Sequence, residues 1–205
     1  MISNHVLTDL YINQKMSMSE IADKLGYSVH KVDYWMRKHK IARRSRSNAN
    51  YIKYNPDGDP FIVGKIDSLY LAELKGLGIG LYWGEGTKAN KNSIRLGNTD
   101  VNLINKFIEF LEKIYTVDKS RLKFSLQVFS DINVREAELY WSSRLRIDPS
   151  QFSKTTVTKS GSIGSYRRKS KYGVLTVYFH NTKLRNLLVD SIPAHGIKYK
   201  EDKPS

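Results

Sequence analysis

The chain has 205 residues, 40 % of them apolar, a net charge of +14 and no cysteine. That length admits one large domain or two small ones, and the missing thiols exclude a disulfide framework, a thiolate zinc site and a Cys nucleophile, which fits a cytoplasmic protein. The positive excess points to a polyanionic partner, with nucleic acid ahead of an anionic membrane surface.

Residues 5–14 place Val6, Leu10 and Tyr11 on one helical face. Asn4, His5 and Asp9 interrupt any leader-peptide pattern, and no later apolar run approaches the roughly 20 residues of a membrane span, so no membrane partner is expected. Ser17 or Ser19 can cap a second helix, with Glu20 in its first turn and Gly26 as its stop. Ser28 then caps a third helix whose apolar face is Val29, Val32, Trp35 and Met36. Two helices joined by a short Gly-containing turn make a helix-turn-helix, and the small Ala22 lets them cross closely. The stretch from Ser19 to Ser28, followed by Val32 and Trp35, resembles the helix-turn-helix of resolvases and sigma-factor-like regulators. The resemblance implies a DNA-binding domain over residues 1–48, with Ser28, His30, Lys31, Tyr34 and Lys38 presented to the major groove.

Arg43, Arg44 and Arg46 follow as a short basic arm able to track phosphates or enter the minor groove. Residues 49–67 read as a linker, because Asn55-Pro56-Asp57-Gly58-Asp59-Pro60 is a dense cluster of turn formers.

A long helix begins at Ser68 and runs through Leu69, Ala72, Leu77 and Leu81 to Gly86. It carries Gly76, Gly80 and Gly84 at four-residue spacing, each costing about 1 kcal/mol relative to Ala. Close approach of a second helix along that stripe is the expected compensation. Glu85 stands near the helix C-terminus, where the macrodipole disfavours an anion and a nearby cation such as a bound metal would favour it. Gly76-x-Gly78-x-Gly80 follows no clear strand and precedes no Gly-Lys-Ser/Thr, so it is not a nucleotide loop.

Beyond it, Ile94 and Leu96 alternate with Arg95, a candidate DNA contact, in a strand, and Asn98-Thr99-Asp100 opens an amphipathic helix bearing Leu103, Ile104, Phe107, Ile108, Leu111 and Ile114. Arg121 to Val128 reads as a strand with Leu122, Phe124, Leu126 and Val128 inward. Its other face carries Arg121, Lys123 and Gln127, residue types that read guanine and adenine. A helix over 133–146, a strand over 152–158, a strand over 173–180 with Leu175, Val177 and Phe179 inward and Thr176, Tyr178 and His180 outward, and a helix over 181–192 complete the pattern. The loop between the last two strands is basic, with Arg167, Arg168, Lys169 and Lys171 as DNA contacts, and residues 196–205 form a basic tail.

The segment Gly80-Leu81-Tyr82-Trp83-Gly84-Glu85-Gly86 resembles the signature helix of the LAGLIDADG homing-endonuclease family, with Gly78 in place of the family's first Leu and Trp83 before the last Gly pair. The resemblance implies an α+β fold: a small all-α helix-turn-helix domain followed, over 68–195, by packed helices and a curved antiparallel sheet that serves as a saddle for double-stranded DNA. It implies a Mg²⁺-dependent endonuclease in which Glu85 is the catalytic and metal-binding acid, with Lys88 near enough in sequence to meet the scissile phosphate. The family draws one acid from each of two signature helices. Leu81-Tyr82-Trp83-Gly84 recurs as Leu139-Tyr140-Trp141-Ser142, and Asn98-Thr99 as Asn181-Thr182, so the second helix belongs either to a homodimer partner or to a degenerate repeat in a one-chain pseudo-dimer. In that repeat Ser143 replaces the acid, which leaves a non-cleaving transcriptional regulator as the alternative reading.

Overall fold

The computed structural model describes residues 1–160 and 170–193. The chain divides into two compact units, Met1–Asp59 and Pro60–Ser205, and the division falls inside the stretch expected to be a linker.

The first unit opens with α1 (Asn4–Thr8), which continues as a π-helical turn over Asp9–Asn13. Leu7, not Val6, joins Leu10 and Tyr11 in the core, because it lies three and four residues before them and centres the stripe; Val6 sits at its exposed edge. Helix α2 (Met18–Leu25) is started by Ser17 in a capping box: the Ser17 Oγ accepts from the Glu20 N–H and the Glu20 carboxylate accepts from the Ser17 N–H at 2.7 Å. It stops at Gly26, whose φ of 68° is left-handed. Helix α3 (Val29–Lys38) buries Val32 and Met36 against Ile21 and Ala22, while Val29 is exposed and Trp35 only half-buried. Residues expected to be a basic arm and linker form a further helix, α4 (Arg46–Tyr54), capped by Ser45 and burying none of its residues.

In the second unit, residues 61–64 dock instead of linking. Phe61 is buried, and the N–H groups of Ile62 and Gly64 donate to the carbonyls of Tyr115 and Ile114, which close the C-terminal end of the helix below. Helix α5 (Leu69–Glu85) is capped by Ser68 and buries Leu74, Gly78 and Tyr82. Of the apolar residues the sequence places along it, Leu69, Ala72 and Leu77 are exposed and Leu81 is half-buried. The close helix approach falls at Gly78 and not at the four-residue stripe. A Cβ on Gly78 would lie 2.1 Å from the Phe110 ring, whereas one on Gly76, Gly80 or Gly84 would meet nothing within 4 Å.

Strand β1 (Ile94–Asn98) leads into α6 (Val101–Tyr115), capped by Asp100, which buries seven residues: Phe110 and Tyr115 join five of the expected ones, while Leu103 is half-buried. Strand β2 (Lys123–Phe129) starts later than expected, since Lys119–Arg121 form a 3₁₀ turn. Helix α7 (Val134–Leu145) follows, then β3 (Thr156–Thr158), β4 (Val174–Phe179) and α8 (Thr182–Asp190).

The four strands form one sheet in the order β1-β4-β2-β3. It is mixed, not antiparallel: β4 pairs antiparallel with β1 and β2, but β3 runs parallel to β2. The buried face carries Ile94, Leu96, Phe124, Leu126, Val128, Leu175, Val177 and Phe179 in one core with α5, α6 and Trp141 of α7. The proposed repeat does not make a second sheet. Its strands β1 and β4 are hydrogen-bonded neighbours, and the matched residues differ in role: Tyr82 is buried and Trp83 exposed, whereas Tyr140 is half-buried and Trp141 buried. Among the described residues no helix is long and apolar enough to cross a membrane.

Candidate nucleic-acid interface

On α3, steps of three and four residues line up Lys31, Tyr34 and Lys38, and Tyr27, just before the cap, lies against Lys31. All four are exposed, with the Lys31 Nζ 3.8 Å from the centre of the Tyr27 ring and the Lys38 Nζ 5.0 Å from that of Trp35. His30 flanks this stripe and is exposed. Ser28 is occupied as the helix cap, its Oγ accepting from the Lys31 N–H. Tyr27 went unread in the sequence because it precedes the cap; only the placement of the turn brings it against Lys31.

The arm is not a free arm. The Arg44 guanidinium stacks 4.1 Å over the Tyr11 ring and donates to the carbonyls of Lys15 and Met16, so it is half-buried and internally committed. Arg43 reaches Asp33 at 3.6 Å, a carboxylate shared with Arg37 at 2.9 Å. Arg46 is exposed at the start of α4.

The second surface is the open face of the sheet. Register places Arg95, Tyr178 and Lys123 in one row and Gly97, Thr176 and Ser125 in the next. Gln127 lies opposite Val174 on one side and Thr156 on the other. The Arg95 guanidinium lies 5.0 Å over the Tyr178 ring, and His180 stacks on the same ring from further along. A Cβ on Gly97 would stand 2.8 Å from the Thr176 Oγ1, so glycine keeps this row low. The side chains that alternate outward on these described strands include no carboxylate. Gln127 was foreseen as a base reader, and its amide donates to Thr158 at 3.2 Å. Arg121 lies off the strand, as the last residue of the 3₁₀ turn that the extended Leu122 caps. Tyr178 and Thr176 were legible as outward residues; that their strand lies between Arg95 and Lys123 was not.

The third element is the end of α5. Glu85 is its last residue, exposed, and forms no ion pair among the described residues. Lys88 folds back so that its Nζ donates to the Trp83 carbonyl at 2.6 Å, a cation on the negative end of the helix. The loop that follows is held by a residue sequence reasoning missed. Arg185 of α8 donates to the carbonyl of Asn90 at 3.1 Å and to that of Lys88. Arg185 also lies beside Tyr82, whose hydroxyl pKa is raised by burial and drawn back partly by that guanidinium. Nothing in the local sequence marks Arg185, since its partners lie far away along the chain. Replacing Arg185 by alanine strips charge-assisted bonds from two half-buried carbonyls and should lower unfolding stability by about 2 kcal/mol, read by denaturant titration. An unchanged midpoint would show that the clamp contributes nothing.

Elsewhere on this unit, Glu109 accepts from Lys106 at 2.8 Å and from Tyr70, which ties α5 to α6 and holds the Glu109 carboxyl below its ordinary range. Lys171 lies exposed with its Nζ 5.1 Å from the Tyr172 ring. Arg167, Arg168, Lys169 and the tail 196–205 lie outside the described residues. Among the described residues no group of three His, Asp or Glu side chains could enclose a metal. Mg²⁺, however, keeps several waters and takes one or two carboxylates together with substrate phosphates, so a lone exposed Glu85 fits one corner of such a site. Comparison of the chain with protein-family models, with curated proteins and with solved structures finds no match.

Proposed function

We propose that this protein binds double-stranded DNA sequence-specifically and cleaves it as a Mg²⁺-dependent, homing-type endonuclease working as a homodimer. The observation that carries the reading is the open sheet face, where Arg95, Lys123, Gln127, Ser125, Thr176 and Tyr178 offer donors and aromatic surface and the described outward residues include no acid. A duplex laid on that face meets cations for its phosphates and amide and guanidinium groups for its base edges. The exposed stripe on α3 supplies a second, independent contact to the major groove.

Cleavage rests on the α5 end. Each chain supplies one carboxylate, and the exposed stripe of Gly76, Gly80 and Gly84, flanked by Leu77 and Trp83, is a surface two copies of α5 could share. Sharing it would bring two copies of Glu85 together, one for each strand. A bound Mg²⁺ would stabilise charge on the attacked phosphate and acidify a bound water. Glu85 would hold one side of that site, and the Lys88 ammonium, released from the Trp83 carbonyl, would face the phosphate. The second reading, a regulator that binds without cutting, is favoured by the single acid per chain.

Incubation with a randomised duplex library, followed by recovery of retained and of cut fragments with Mg²⁺ or EDTA, tests both. Log affinity should fall linearly with log salt, and Lys123→Ala should lower that slope by about 1 with little change in sequence preference. A flat salt response overturns the DNA reading; retention without cutting in Mg²⁺ selects the regulator.

A further inference from the structure

The first unit holds a cleft of about 990 Å³ between the end of the π-helical turn, the start of α2 and the inner side of α4. Its wall carries Lys15, Arg43, Arg44, Arg46 and Lys53 against a single acid, Glu20. Glu20 is already engaged, because its carboxylate accepts from the Ser17 N–H. Lys15, Arg46 and Lys53 form no ion pair among the described residues. The Arg44 guanidinium is anchored by its Nη1 on two carbonyls, while its Nη2 is buried with no hydrogen-bond partner. A buried charged donor left without an acceptor is costly, so the positive charge at this wall is uncompensated there.

The wall is also irregular. The π turn over Asp9–Asn13 departs from the regular helix, and Lys15 adopts a φ of 56°, left-handed for a residue with a side chain. That turn aims the Lys15 carbonyl at the Arg44 Nη1. The Arg44 guanidinium is thereby held in a fixed place on the cleft wall. The volume exceeds what one inorganic ion needs, and Met16, Met18 and Ile52 add apolar lining beside the cations.

We propose that this cleft binds a phosphate group carried by a nucleotide-sized ligand, either a nucleotide unit of a DNA strand or a free nucleotide. This site is separate from the α3 stripe and from the sheet face, and it does not rest on cleavage or on the DNA reading.

The test titrates the full chain with ADP by calorimetry, and separately with a short random-sequence duplex across a salt series. The variant is Arg46→Ala with Lys53→Ala. Both side chains are exposed, so the fold should persist, and an unchanged far-ultraviolet spectrum and melting curve would verify that. Saturable ADP binding that the double variant weakens about tenfold or more supports a site for a free nucleotide. Duplex affinity that falls in the variant, with a salt slope smaller by about 2 and with ADP displaced by duplex, supports the same site filled by a DNA strand. If ADP shows no saturable binding and the variant leaves duplex affinity and slope unchanged, the proposal is overturned. Equal ADP binding by both proteins overturns it as well.

Discussion

Gly78→Ala is expected to destabilise the second unit by about 2 kcal/mol or more, measured by denaturant or thermal unfolding. The added Cβ would sit 2.1 Å from the Phe110 Cγ and 2.2 and 2.6 Å from its two Cδ atoms, distances no rotamer change of the alanine can relieve. Phe110 cannot give way easily. It is fully buried, with its ring 5.7 Å from Phe107 and 5.3 Å from Tyr115, so relief requires α5 and α6 to move apart. Against this stands the gain of about 1 kcal/mol that alanine brings to any helix interior. In the single chain the same substitution at Gly76 or Gly80 meets open space, so at a dilution where the chain is monomeric it should raise stability by up to about 1 kcal/mol at each position. One helix therefore predicts opposite signs for one kind of mutation. A Gly78→Ala protein that melts at or above the parent temperature would refute the contact.

Glu85→Gln should remove cleavage by a factor on the order of 10³ or more while leaving duplex affinity equal or slightly higher. The amide keeps the size of the side chain and discards only the charge. Because Glu85 is exposed at a helix C-terminus without an ion-pair partner among the described residues, its loss should not lower stability. The macrodipole argument gives a gain of about 0.3–1 kcal/mol instead. Specific cuts made by the parent with Mg²⁺ and persisting at full rate in the variant would dismiss Glu85 from the reaction. The absence of cutting in both proteins, with binding intact, would leave the regulator.

Much of this architecture was legible because the signals were local. Ser17 with Glu20, Gly26 and Ser28 each act within a turn of their own position, so α2 and α3 could be bounded from sequence. The alternation in β2 and β4 and the stripe of α6 are equally self-contained. What escaped depended on distant partners or had no apolar pattern. α4 buries nothing, so Arg46-Ser47-Asn48-Ala49-Asn50 had no period to display. α5 is apolar nearly all round, and periodicity could not choose between Leu74-Gly78-Tyr82 and the face that turned out exposed. The parallel placement of β3, the commitment of Arg44 to Tyr11 and the reach of Arg185 to Lys88 and Asn90 all join segments far apart in the chain. Of the candidate site, residue types were readable and neighbours were not: Lys123 and Arg95 were each foreseen, but not the shared row through Tyr178.

The strand order has a consequence for synthesis. β4, the last of the described strands to be translated, is the one that bridges β1 and β2. Until residues 174–179 clear the ribosome, β1 lacks its sheet neighbour and one edge of β2 keeps its N–H and C=O groups unpaired. The first unit has all its residues by Asp59 and can fold early in translation. A pause between these two points would therefore leave the first unit complete while the sheet of the second waits for residues 174–179.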